Sequence, residues 1–160
     1  MAKQEFLQLA QKYKETKSIG GFCYSEKLDG FRVFWDGGVT TGMYSSKVPW
    51  ANTAKDHIHA TAIRATGLWS RYGNVVHAPE HWLAKLPPFP LDGELYIGRG
   101  SFQELRSIAA KYPANRIDSD WDKIKLMVFS LPKMNALLGK RTIDTINLKI
   151  AIPDNAYQWW

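Results

Sequence analysis

Residues 25–38 read "SEKLDGFRVFWDGG", and the reading of the fold starts there. "FRVFW" is apolar and rich in strand formers, and "DGG" is a turn. The preceding "GFCY" is largely apolar too. The pattern predicts two strands, over residues 22–27 and 31–35, joined tightly through Asp29-Gly30. Lys27, Asp29 and Arg32 then stand at the mouth of an apolar hairpin. An edge lysine ordinarily guards a strand against aggregation, and Asp-Gly ordinarily makes a turn. Together the residues also suit covalent chemistry. A neutral lysine amine attacks electrophiles, and burial or a neighbouring cation favours that neutral form. Arg32 supplies such a cation and suits an anionic substrate. The turn would aim Lys27 into a pocket.

Outward from this stretch, Phe6, Leu7, Ala10 and Tyr13 recur at helical spacing, which predicts an amphipathic helix over 2–16, ended by Gly20-Gly21. Residues 37–67 are polar and irregular, with a short helix expected over 55–65. The segment reads as surface decoration more than as a DNA contact. A strand is predicted over 68–71 and one or two helical turns over 79–85. "LPPFP" (86–90) is a rigid approach to a strand over 91–97. Ser101 and Glu104 carry a capping-box signature for a helix reaching 111, and Pro113 stops it. Residues 124–131 read as a strand, and the pattern weakens beyond Pro132. Helices and antiparallel strands are mixed, so the class is α+β, antiparallel sheets with flanking helices.

The 160 residues are 45% hydrophobic, enough for a real core. Twenty-one basic against 15 acidic side chains leave +6, which favours a polyanion such as nucleic acid. The charge is spread along the chain, so any basic surface must be assembled by folding. The lone Cys23 excludes an internal disulfide and a multi-cysteine zinc site, and reads as a small core residue. His57 and His59 alternate, and His77 and His81 are four apart with Pro79 between. Neither pair has a third ligand nearby, so all four read as surface histidines. Trp35, Trp50, Trp69 and Trp82 read as core or loop anchors, with one or two free to stack on substrate. An apolar leader and a membrane-length apolar run are both missing from the sequence, and the expectation is a soluble, cytoplasmic protein.

Four motifs in order carry a family resemblance. "EKLDGFR" resembles the nucleophile motif of the covalent nucleotidyltransferases, which comprise ATP-dependent DNA ligases, RNA ligases and mRNA capping enzymes. "WSRYG", with Ser70, Arg71 and Gly73, resembles the S-R-x-G element of DNA ligases. "LDGELYIGRGSF" resembles their third motif, with Glu94 in the D-G-E position. "LMVFSLP" resembles their V-F-D strand, with Phe129 in the aromatic position. The resemblance runs over residues 22–132 and is to the minimal bacterial and phage-type ATP-dependent DNA ligases. It implies a nucleotidyltransferase (ATP-grasp-like) adenylation fold.

The resemblance also implies roles. Lys27 would attack the α-phosphate of ATP and become lysyl-AMP. Glu26 would lie in the ATP site, and Arg32 would contact the nucleotide sugar or phosphate. Glu94 would bind the ribose hydroxyls or help hold Mg²⁺ (or Mn²⁺), and Phe129 would stack on adenine. Arg71 would reach the nucleotide phosphate or the 5′-phosphate at a nick, and Arg99 would contact DNA. The partner would be nicked duplex DNA.

The sequence departs from the family in three places. Ser130 replaces the aspartate of V-F-D, and residues 37–67 are longer than in compact relatives. After Pro132 no acidic E-G motif, no K-x-K strand and no OB-fold domain is recognisable; "KIK" at 123–125 precedes Phe129, in the wrong order. The expectation is that 1–132 forms the N-terminal part of an adenylation domain and 133–160 a weakly patterned tail. The remainder would be lost or supplied by a second polypeptide. An RNA ligase or capping-type enzyme, and an inactive nucleic-acid-binding fragment, are the alternatives.

Overall fold

The computed structural model describes residues 7, 14–16, 18, 20–21, 26–52, 63–132 and 146–147. In chain order the elements are β1 (Phe31–Asp36), β2 (Leu68–Ser70), α1 (Glu80–Leu83), β3 (Pro90–Tyr96), α2 (Phe102–Ala109), β4 (Lys125–Leu131) and β5 (Ile146–Asn147), with three short 3₁₀ turns between them. The strands form one sheet in the order β2-β1-β3-β4-β5, with each neighbouring pair antiparallel. The α+β reading holds.

The apolar run of β1 is explained by burial on both faces. Val33 and Trp35 point to one side, with Leu68, Leu91, Leu95 and Leu126, and there meet Leu105, Ile108, Trp82 and Trp121. Leu105, Ile108 and Ala109 are the buried stripe of α2, spaced as a helix face requires. Phe34 points to the other side, into a second cluster with Leu7, Val48, Ala65 and Trp69.

That second cluster corrects the reading of residues 37–67 as decoration. Phe34 and Trp69 each meet Trp50 edge-on, with ring centroids 6.0 Å apart. Asp36 is fully buried and accepts hydrogen bonds from Trp69 Nε1, at 3.1 Å, and from the Thr40 hydroxyl. The segment's polar letters hide a core because one carboxylate organises it from within. Trp35, Trp69 and Trp82 are buried and Trp50 partly so, which makes these residues anchors.

The described residues do not form the expected hairpin. Residues 26–29 are not strand, and β1 takes β2 and β3 as its two partners. Residues 22–25, and with them most of the expected first strand and Cys23, lie outside the described residues. So do most of the helix expected over 2–16, residues 55–62 of the helix expected over 55–65, His57 and His59. Arg64, within that segment, forms a β-bridge with Tyr44.

Two further expectations shift. Ser101 occupies the N-cap of α2 without a side-chain capping bond, and Glu104 pairs with Lys123 instead of reaching back. α2 ends at Ala109, short of 111, and Pro113 opens a 3₁₀ turn.

Candidate active site

Side-chain alternation puts Arg32 of β1 and Asp92 and Glu94 of β3 on the face opposite α2. At the Asp36 end the second cluster covers that face. At the Arg32 end it carries polar groups.

Arg32 lies directly across from Glu94 in the β1–β3 ladder. Its guanidinium forks onto Asp92, Nε to Oδ1 and Nη2 to Oδ2, both at 2.7 Å. Its Cζ stands 4.8 Å from the centre of the Phe129 ring. Phe129 owes its place to a β-bulge. Gly93 pairs with Val128 and Asp92 with Ser130, so Phe129 is the extra residue between them. Ser130 stands across from Asp92 in the ladder and pulls that carboxyl's pKa downward. Gly93 is required by close packing, since a Cβ there would sit 2.4 Å from the Met127 carbonyl oxygen.

Glu94 ties this cluster to the lysine segment. Its Oε1 accepts the Gly30 backbone N–H at 2.8 Å. A Cβ on Gly30 would lie 2.3 Å from the Leu95 carbonyl oxygen and 2.6 Å from Glu94 Cγ. The glycine of "LDGF" therefore serves close approach rather than a hairpin turn. Burial pushes both acids upward: Asp92 against the opposing pull of Arg32 and Ser130, and Glu94 against that of Gly30 and Arg32. Asp29 adds to the upward push on Glu94, and Lys27 opposes it.

Lys27 lines a cleft of about 220 Å³ with Glu26, Leu28 and Asp29 on one side and Tyr96, Arg99 and Gly100 on the other. Arg99 Nη2 and Glu26 Oε1 form an exposed ion pair, 2.7 Å apart. Lys27 is exposed as well, so the burial expected to favour its neutral amine is not built. Arg71 follows β2. Its backbone N–H donates to the Arg32 carbonyl at 3.3 Å, and its guanidinium stands 4.7 Å from the Tyr72 ring centre. Ser70 shapes that turn, its Oγ accepting the Asn74 N–H at 3.1 Å.

The fold thus brings Glu26, Lys27, Arg32, Glu94, Arg99 and Phe129 to one end of the sheet, with Arg71 on the neighbouring strand end. His77 and His81 go elsewhere. His77 tilts over Tyr112, centroids 5.5 Å apart, and its pKa is lowered by burial and by Arg116; His81 Nε2 meets Asp122 Oδ1 at 3.0 Å. Among the described residues no group of three or more His, Cys, Asp or Glu side chains is placed to hold a metal. Sequence reasoning missed Asp92 and Ser130 as members of the cluster. The signal was there: Asp92 shares the strand parity of Glu94.

No family model matches the chain. It is 28% identical over 126 residues to a DNA ligase of Haemophilus influenzae, a match covering 79% of this chain and 35% of that protein. A solved structure from a structure–function study of Lig E DNA ligases, described as binding DNA with a minimal scaffold, matches with a TM-score of 0.54 and 30% identity, over 79% of this chain and 39% of that one. The chain carries a DNA ligase-like domain. This DNA ligase-like domain spans little more than a third of the length of the relatives it matches. No helix among the described residues is long and apolar enough to cross a membrane.

Proposed function

We propose that this chain is the nucleotide-charging part of an ATP-dependent DNA ligase, with the nucleotidyltransferase adenylation fold over residues 1–132. One observation carries the reading: the lysine segment, the D-G-E strand and the Phe129 strand, distant in sequence, converge on one cluster, joined by the Gly30–Glu94 hydrogen bond and the Arg32–Phe129 contact. In this reading the Lys27 amine, having lost its proton to solvent, attacks the α-phosphorus of ATP. The N–P bond forms, the bond to pyrophosphate breaks, and Lys27 carries AMP. The AMP then passes to a 5′-phosphate at a DNA nick, and the adjacent 3′-hydroxyl displaces it and seals the strand.

The residues suit those tasks. Phe129 offers an aromatic face to a purine, steadied by Arg32. Glu94, already holding Gly30, is placed for ribose hydroxyls. Glu94, bonded to Gly30, and the adjoining Asp29 are hard oxygen donors, of a kind that suits Mg²⁺ or Mn²⁺ when substrate phosphates complete the shell. Such an ion would offset charge on the transferring phosphate and disfavour the Lys27 ammonium. Arg71 and Arg99 suit DNA phosphates, and Arg99 is held by an exposed ion pair of a kind that costs about 0–1 kcal/mol to exchange.

The test is incubation of the chain with ATP and magnesium, alone and with a C-terminal ligase segment added, followed by peptide mass analysis. A mass gain of one AMP on Lys27, absent in Lys27→Arg, is expected, because a guanidinium stays protonated and cannot attack. Labelling from GTP in place of ATP would turn the reading toward a capping-type enzyme. DNA binding with no adduct under any of these conditions would leave a nucleic-acid-binding fragment.

A further inference from the structure

Ser130 stands where the resembling strands carry aspartate, and its neighbours in the sheet set what either residue would meet. The β4 bulge sets Ser130, not Phe129, across from Asp92. Asp92 is 5% exposed and already shares both oxygens with Arg32. A carboxylate at 130 would lie beside a buried carboxylate and repel it. It would also compete for the same guanidinium fork, giving Arg32 two orientations in place of one. A hydroxyl does neither. Standing across from Asp92, it can donate to that carboxylate and leaves the fork to it.

We propose that Ser130 is a positioning residue of the nucleotide seat: by donating to Asp92 in place of a competing acid, it fixes the Arg32 guanidinium against the ring of Phe129. Ser130 touches no reacting atom. It acts through Asp92 on Arg32, and through Arg32 on the one exposed aromatic face of the cluster. That the seat takes a purine nucleotide rests on the function proposed above; that Ser130 orients Arg32 does not.

Two readouts on the full chain keep those parts distinct. The first is the Nε–H resonance of Arg32 in ¹⁵N-labelled protein, which reports whether the fork is held. The second is ATP affinity by titration calorimetry. Ser130→Thr keeps the hydroxyl and should keep both the sharp resonance and the affinity. Ser130→Ala should broaden the resonance and weaken ATP several-fold. Ser130→Asp should do more, weakening ATP on the order of tenfold, the scale of one buried charge-assisted contact. Should Ser130→Asp fail to fold, the Thr and Ala variants still decide. An Arg32 resonance equally sharp in the Ala and Thr variants, or an Asp variant indistinguishable from the parent, overturns the inference. If the parent chain binds no ATP while the resonances behave as expected, the positioning by Ser130 stands and the nucleotide reading falls.

Discussion

Glu94 reaches across the sheet to take the backbone N–H of Gly30 at 2.8 Å. That bond joins the end of the lysine segment to the middle of β3 and sets how far Lys27 stands from the acids. It requires the two backbones to be closer than any side chain at 30 would permit.

Gly30→Ala should therefore destabilise the chain. The new methyl would meet a backbone oxygen at 2.3 Å, which a rotamer change cannot relieve. The expected loss is about 1–3 kcal/mol, the range for overpacked sites. It outweighs the stabilisation of under about 1 kcal/mol that removing a glycine gives through the unfolded state. Urea unfolding midpoints measure it; a variant as stable as the parent would show that β1 and β3 can part here freely.

Phe129→Ala should weaken ATP by about 1–3 kcal/mol, the scale of stacking on a base, while Phe129→Tyr stays mild. The ring is 37% exposed, so its loss removes little core. Equal ATP affinity for parent and Ala variant would take Phe129 out of the seat.

The carboxyl of Asp92 lies above its ordinary 3.8, because burial outweighs Arg32 and Ser130. A folded-state value above the unfolded one favours the protonated form in the fold. The associated stability is fully present below 3.8 and is lost as pH rises through the raised value. Asp92→Asn imitates the protonated form. It should match the parent in acid and become the more stable of the two toward neutral pH. Denaturant unfolding of both across that range decides. A parent that instead gains on Asp92→Asn as pH rises would mean that the Arg32 pair outweighs burial.

Asp36→Ala should cost about 1–3 kcal/mol, since it leaves the Trp69 indole N–H buried without its acceptor. The loss should appear as blue-to-red movement of tryptophan fluorescence at lower urea, as the second cluster opens. Unchanged unfolding would show that residues 37–52 add little to the fold.

Much of this arrangement was legible in the letters. β1, β3 and β4 follow from apolar runs bounded by Gly and Pro, and Lys27, Arg32, Glu94 and Phe129 from ordered motifs. The hairpin was not legible, because the partners of β1 come from far along the chain: Arg32 bonds Asp92 at a separation of 60 residues. Local turn chemistry says nothing of such pairing. Glu104 was misread for a related reason, since a cation 19 residues away, Lys123, competes with the backbone of its own helix. Alternation placed Asp92 beside Glu94, yet it assumes an unbroken ladder, and the break at Phe129 is what brings Ser130 to Asp92.

That break makes Phe129 supernumerary. Val128 and Ser130 already satisfy Gly93 and Asp92, so the hydrogen-bonded ladder would close without a gap if Phe129 were excised. The sheet has no place for this ring, and the hydrophobic core does not enclose it. Shortening β4 by that one residue should leave a folded, regular strand with Arg32 facing an empty position. The length of this strand, as distinct from its composition, thereby becomes a property of the site.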